Sequence, residues 1–331
     1  MPTTGGGAPA LRAVFFGSPA FAVPCLEATA RVADVAAVVS QPDRPAGRGN
    51  QLTEPAVKAA ARRLGLPVLQ PEKIRTPAFE AELRALGADV FVVVAYGRIL
   101  PQALLDLPRL GPWNVHASLL PRLRGAAPIQ WAIIRGDDRT GVSIMRMEAG
   151  LDTGPVAAVA ATSIGDGDTA GSLAARLSSL GAELLAATLP AIAAGGVRLQ
   201  AQDDGAATLA PLLQKEDGHL DFTQPARAVS ARARGVDPWP GAFAWLEQPG
   251  GDRQPLKLFA PRVLAGATPG PPGAIAGAAP EGLVVTCGGG AQAGAGAVAV
   301  AFAELQMPGR KRLPAAAALA GNPGLASAVL R

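Results

Sequence analysis

Three short, dominantly apolar runs constrain this chain more than any other feature: 11–16 (LRAVFF), 32–39 and 88–95, the last holding VFVVVA. Each has the length of a strand and none alternates strictly with polar residues, so each must be covered on both faces. Patterns of helical period lie between them at 20–30, 54–64 and 77–86, with a short strand at 66–69. Strands alternating with helices predict a parallel sheet with helices on both sides. The pattern continues with a strand at 112–116, a helix at 126–135, strands at 141–147 and 155–162, and a long helical region ending near Gly195. Around 173–194 that region is amphipathic and carries Arg176 and Glu183, so it reads as a surface helix. The segment 11–196 is expected to form a Rossmann-like α/β domain.

At 331 residues the chain exceeds what one core comfortably serves, so a second domain is expected. Residues 197–214 read as a linker. From Lys215 the pattern changes to one helix near 224–234 and short strands near 242–247, 256–263, 283–286 and 298–306, separated by Gly/Pro-rich turns at 264–273 and 287–297. Short strands at short spacing suggest a small barrel or sandwich, and a five-stranded OB-like β-barrel over 215–331 fits. Aromatics are only 4% of the chain, so the cores must be built from Ala, Val and Leu. Residues 1–10 have no basic start and no apolar stretch. No signal peptide is expected there, and the segment reads as disordered. No run is long and apolar enough for a membrane span. The two cysteines, Cys25 and Cys287, lie far apart and form no C-x-x-C pair, which fits a reduced, cytoplasmic protein.

The net charge of +4 is unevenly spread: 19 basic and 18 acidic residues in 1–204, against 11 and 8 in 215–331. The second part is the more basic, mostly through Arg, which fits phosphate contacts and GC-rich coding equally well. A polar loop at 41–53 (QPDRPAGRGNQLT) is long for a strand-to-helix connection and carries Arg44 and Arg48. Read alone it is a solvated turn.

The chemistry concentrates in 114–152. Asn114 and His116 lie two apart at the end of an apolar strand, so they share one face, near the carboxyl ends where open α/β sheets bind ligands. Asp152 sits in a tight GLDTG turn. An amide donor, an imidazole and a carboxylate suit attack on a carbonyl without a covalent intermediate. Neither cysteine has an adjacent His, and there is no G-x-S-x-G elbow. Taken alone, a histidine at a strand end is more often structural than catalytic, and an aspartate in a G-x-D-x-G turn is usually a turn former. No G-x-G-x-x-G follows the first strand, no Walker A motif occurs, and two histidines, His116 and His219, make no zinc-spaced set, so no metal is expected.

The segments NVHASLLPRLRGAAPIQWAI and GVSIMRMEAGLDTG resemble the core of folate-dependent formyltransferases. FFGSPAFAVPCLEA, QPDRPAGRG, VVVAYGRILP, LLQKEDGHLDF and DPWPGAF narrow the resemblance to the methionyl-tRNA formyltransferases, from about Leu11 to about Leu319. The resemblance implies formyl transfer from 10-formyltetrahydrofolate to the amino group of methionyl initiator tRNA, with Asn114, His116 and Asp152 catalytic. It implies that Ser118, Leu119, Leu120 and Pro121 line the folate pocket. Arg44 and Arg48 would reach the tRNA acceptor stem, and the basic second domain would add Lys215 and the cluster Arg310, Lys311 and Arg312. A monomer is expected. Two departures stand out: Asn50 and Gln51 replace lysines frequent in the family's loop, and the Gly/Ala stretch at 288–297 is longer than a family hairpin turn. The same trio also fits a formyltransferase acting on a sugar nucleotide or purine precursor, a formyl-folate hydrolase, or a tRNA-binding protein that has lost catalysis.

Overall fold

The computed structural model describes residues 11–46, 51–248, 253–266, 270–288, 299–322, 324–325 and 328–331. Arg48, residues 1–10 and most of the Gly/Ala stretch therefore lie outside the described residues. In chain order the first part forms β1 (Arg12–Gly17), α1 (Val23–Val32), β2 (Asp34–Val39), β3 (Arg44–Ala46), β4 (Gln51–Thr53), α2 (Ala56–Arg63), β5 (Val68–Leu69), α3 (Pro77–Ala85), β6 (Val90–Val94), α4 (Gln102–Leu105), β7 (Pro112–His116), α5 (Pro128–Ile134), β8 (Arg139–Arg146), β9 (Val156–Ser163) and α6 (Ala170–Ala193). The second part adds α7 (Ala226–Gly235), β10 (Phe243–Glu247), β11 (Arg253–Leu264), β12 (Ile275–Ala279), β13 (Gly282–Thr286), β14 (Ala299–Gln306), β15 (Leu313–Pro314), α8 (Ala315–Ala320) and β16 (Val329–Leu330).

Two compact units form. One holds the described residues up to Gly125 together with Thr140–Thr162 and Ala174–Ala210; the other holds Ala126–Arg139, Ser163–Leu173 and Pro211–Arg331. Residues 197–210, read above as linker, thus belong to the first unit.

The sheet of the first unit has seven strands in the order β5-β2-β1-β6-β7-β8-β9. β5, β2, β1, β6 and β7 run parallel, but β8 pairs antiparallel with β7, so the sheet is mixed and not wholly parallel as expected. A buried antiparallel strand such as β8, with all of its residues but the two ends buried, reads like a buried parallel one, so the apolar run could not give its direction. β6 (VFVVV) lies at the centre and is buried along its whole length. Phe16 and Phe91 from neighbouring strands pack at 5.2 Å and join Phe79 and Leu83 of α3 in one apolar cluster. α3 starts where Thr76 accepts a hydrogen bond from the Phe79 N–H at 3.3 Å and Pro77 fills the first helical position. α6 buries Leu173, Leu177, Leu185, Leu189 and Ile192 along one stripe and leaves Arg176 and Glu183 exposed. Under β7 its Gly181 comes so close that an added Cβ would lie 3.0 Å from Val115.

The second unit carries another seven-stranded sheet, β12-β13-β14-β11-β10-β16 with β15 beside β14. The count is seven, not five. β12 (IAGAA) is too rich in Ala and Gly to read as a strand, and β15 and β16 have two residues each. The edges of this sheet meet: the Leu330 N–H donates to the Gly273 carbonyl at 2.9 Å, and Ala274 bridges Val329. Leu246, Leu256, Leu258, Val285, Val300 and Phe302 fill the core together with Val229 and Ala233 of α7.

Candidate active site

β7 carries Asn114 opposite Val93 of β6 and Met145 of β8, and His116 opposite Ser143. The two side chains project together at the carboxyl end of a parallel strand, at the boundary where the sheet turns antiparallel. Asp152 reaches the same spot from the turn after β8, with a positive φ of 53° that few non-glycine residues adopt. The Asn114 Nδ2 donates to Asp152 Oδ1 at 3.4 Å, and His116 Nδ1 lies 3.7 Å from Asp152 Oδ2. His116 is 5% exposed. Its Nε2 faces the Leu123 carbonyl at 3.0 Å, and since a carbonyl can only accept, Nε2 carries the proton. The ring is thereby oriented with Nδ1 toward Asp152. A neutral ring then has no proton on Nδ1, so that nitrogen donates only in the imidazolium form. The Gly125 N–H donates to Asp152 Oδ2 at 2.8 Å and fixes the carboxylate from the other side.

The loop after β7 supplies both of those backbone contacts. It is tied down by buried hydroxyls: Ser143 Oγ donates to the Ser118 carbonyl at 2.7 Å and accepts from the Leu120 N–H at 3.1 Å. Ser118 is fully buried, and its hydroxyl donates to the Arg122 carbonyl at 2.6 Å. Leu119, Leu120 and Pro121 are half-buried. Gly125 has φ of 122°, and a Cβ there would lie 2.7 Å from the Ala210 carbonyl, so only glycine fits.

Sequence reasoning missed the segment that braces this loop. Thr208 accepts the Leu123 N–H through Oγ1 at 2.9 Å and the Arg124 N–H through its carbonyl at 2.8 Å. Gln202 donates to the carbonyls of Asp152 and Gly154 at 2.8 and 2.7 Å. A polar stretch without periodicity gives no sign of such bonds, because the recognised atoms belong to backbone.

The neighbouring strand ends are also cross-linked. Gln41, after β2, donates from Nε2 to the Tyr96 carbonyl beyond β6 at 3.0 Å and accepts from Arg98 Nε at 3.1 Å. The 41–53 segment is not only a loop: β3 and β4 pair as a short exposed hairpin, with Arg44 opposite Thr53. At its base Asp43 accepts from Gln70 Nε2 at 2.7 Å and pairs with Lys58 Nζ at 2.7 Å, and these hold its carboxyl below the usual value.

The remaining basic positions lie in the second unit. Lys215, Arg310, Lys311 and Arg312 are all exposed. Arg312 is ion-paired to Glu304 and stacks 4.0 Å above the Phe259 ring. Among the described residues no cluster of three metal-binding side chains occurs, and no helix is long and apolar enough to cross a membrane.

The family model described as formyl transferase matches residues 11–189, and the model for the formyl transferase C-terminal domain matches 212–323. The methionyl-tRNA formyltransferase of Sorangium cellulosum (strain So ce56) is 48% identical over 97% of this chain and 99% of its own length. The chain belongs to the methionyl-tRNA formyltransferase family. A second member, from Solibacter usitatus (strain Ellin6076), is 49% identical over 92% of this chain and 94% of its own. A solved N-formyltransferase from Helicobacter canadensis, in complex with folinic acid and dTDP-3-aminofucose, superposes with a TM-score of 0.63 over 88% of this chain and 99% of that one, at 15% identity. At that identity the likeness is one of fold. As a formyltransferase, the chain is an enzyme that moves a one-carbon acyl group, which is the chemistry an amide, an imidazole and a carboxylate around one point can serve.

Proposed function

We propose that this enzyme transfers the formyl group of 10-formyltetrahydrofolate to the α-amino group of methionine on initiator tRNA, giving the N-formylmethionyl-tRNA used to start translation. The observation that carries the reading is the convergence of Asn114 and His116 on Asp152, at 3.4 and 3.7 Å from its carboxylate, in a chain nearly half identical to methionyl-tRNA formyltransferases.

The acceptor amine must be neutral to attack. Free α-amino groups titrate at about 7.7–8.0, and an adjacent ester lowers that, so much of the amine is available at neutral pH. Attack on the formyl carbon builds a tetrahedral oxyanion. The Asn114 amide and the Nδ1–H of cationic His116 are the donors that face it. The Asn114 amide stands at the limit of hydrogen-bond distance from Asp152 and His116 Nδ1 beyond it, so neither donor is tightly held by the carboxylate, and small shifts onto a formyl oxygen are of the kind common on substrate binding. Asp152 stabilises the imidazolium and, through a water, passes the proton of the attacking amine toward the leaving nitrogen.

Leu119, Leu120 and Pro121 form the apolar wall for the folate, and buried Ser118 supports that wall from beneath. Arg44, Arg48, Lys215, Arg310, Lys311 and Arg312 contact tRNA phosphates. We assign catalysis to the unit that holds the trio, within 11–196 and joined by 197–210 of the segment expected as a connection, and tRNA binding to an OB-like barrel within 215–331; the bridge from Ala274 to Val329 supports a closed barrel. The enzyme is a cytoplasmic monomer, and no step needs a metal. A sugar-nucleotide acceptor is disfavoured, since relatives 47–49% identical over more than nine-tenths of the chain are methionyl-tRNA formyltransferases.

The test is formyl transfer from 10-formyltetrahydrofolate with methionyl initiator tRNA, methionyl elongator tRNA and water as competing acceptors. Turnover should strongly favour the initiator. Donor hydrolysis without tRNA formylation would reassign the acceptor.

A further inference from the structure

We propose that Gln202 is a positioning residue that sets the geometry of the His116–Asp152 pair, with the buried Arg124 as its anchor. The inference rests on reading that pair as reacting groups. Gln202 uses every hydrogen-bonding capacity of its amide. Nε2 donates to the Asp152 carbonyl at 2.8 Å and the Gly154 carbonyl at 2.7 Å, while Oε1 accepts from Arg124 Nε at 3.1 Å and Nη2 at 2.9 Å. One amide therefore ties the backbone of the Asp152 turn to one arginine.

Arg124 is 6% exposed and is itself held on all sides. Its N–H donates to the Thr208 carbonyl at 2.8 Å, its carbonyl accepts from the Ala210 N–H at 2.7 Å, and Nη2 also donates to Asp204 at 2.8 Å. Its two chain neighbours are the residues that touch the catalytic pair through backbone. The Leu123 carbonyl accepts a hydrogen bond from the His116 Nε2–H at 3.0 Å, and the Gly125 N–H donates to Asp152 Oδ2 at 2.8 Å. The imidazole and the carboxylate thus depend on two bonds one residue apart on either side of Arg124. Gln202 supplies the third connection, from Arg124 to the main chain of Asp152. It adds a tie to the main chain of the carboxylate-bearing turn, beside the bond that the carboxylate itself accepts from the Gly125 N–H.

Two substitutions separate the parts of this device. Gln202→Ala removes both ends of the clamp. Gln202→Glu keeps oxygens facing Arg124 but sets a carboxylate against the Asp152 and Gly154 carbonyls. The readouts are kcat and KM for both substrates, and the imidazole ¹⁵N signals of the full-length protein. The chain has only two histidines, and His219, bonded to the Arg331 carbonyl at 2.9 Å, serves as an internal reference. Both variants should lower kcat about 10- to 100-fold, the usual effect of losing a partner that orients a functional group, with KM little changed. His116 signals should shift while those of His219 stay in place. A fall in kcat with unmoved His116 signals, or no change in either, overturns the inference. Shifted His116 signals with unchanged kcat overturn the catalytic reading of the pair, and the inference with it. Should Gln202→Glu fail to fold, Gln202→Met, which adds no charge, carries the same readouts.

Discussion

His116 already has one ring nitrogen committed to the Leu123 carbonyl, which in the proposed mechanism leaves the substrate-side work to Nδ1 and to the Asn114 amide. Loss of one oxyanion donor typically costs about 100- to 1,000-fold in rate. Asn114→Ala should therefore lower single-turnover formyl transfer by about that factor, with donor affinity nearly unchanged; wild-type turnover would rule the amide out. The thiols belong to the opposite category. Cys25 and Cys287 are buried, and burial pushes them up to about 12 and about 11. At neutral pH both stay protonated and inert. A thiol reagent should leave the folded protein unlabelled and modify both cysteines once it is denatured, whereas rapid labelling in native buffer would contradict the burial.

Single atoms also decide how elements pack. α5 and α7 cross at Gly235, where an added Cβ would lie 2.5 Å from Ile134 Cγ1 and 3.0 Å from the Gln130 carbonyl. Overpacking of this kind typically costs about 1–3 kcal/mol, so Gly235→Ala should lower the denaturant midpoint of the second unit accordingly. At the base of the β3–β4 hairpin, Gln70 first and Lys58 second hold Asp43 below its ordinary 3.8. A depressed carboxylate stabilises the fold above its unfolded pKa, and that contribution disappears as pH falls through the depressed folded value. Gln70→Ala should move the Asp43 midpoint up toward 3.8, read by carboxyl-carbon NMR titration. An unmoved midpoint would assign the shift to other neighbours.

Charges that look alike in a sequence differ once the whole molecule is folded. Lys311 and Arg312 are adjacent and exposed, but Arg312 is engaged by Glu304 and Phe259. An exposed cation–π contact contributes about 0.5–1 kcal/mol and an exposed ion pair about 0–1 kcal/mol. Lys311→Ala should flatten the salt dependence of tRNA affinity by about one phosphate contact and leave Tm in place, whereas Arg312→Ala should lower Tm as well. Equal effects of the two on both measurements would remove the distinction.

The sequence by itself determined the strand–helix alternation, the central buried β6 and the placement of Asn114 and His116 on one face, because periodicity and apolar runs are local properties of the chain. It left the direction of β8 open, since burial on both faces erases the alternation that would betray an antiparallel strand. It also hid β12, whose Ala- and Gly-rich residues become a strand only because β13 supplies hydrogen-bond partners. Only the tertiary structure decided that Asp152 meets His116, 36 positions away in the chain. Only there, too, does the stretch around Gln202 and Thr208 come to brace the candidate site. Its bonds run to the main chain of Leu123, Arg124, Asp152 and Gly154, and backbone atoms, being the same at every position, leave no mark in a sequence.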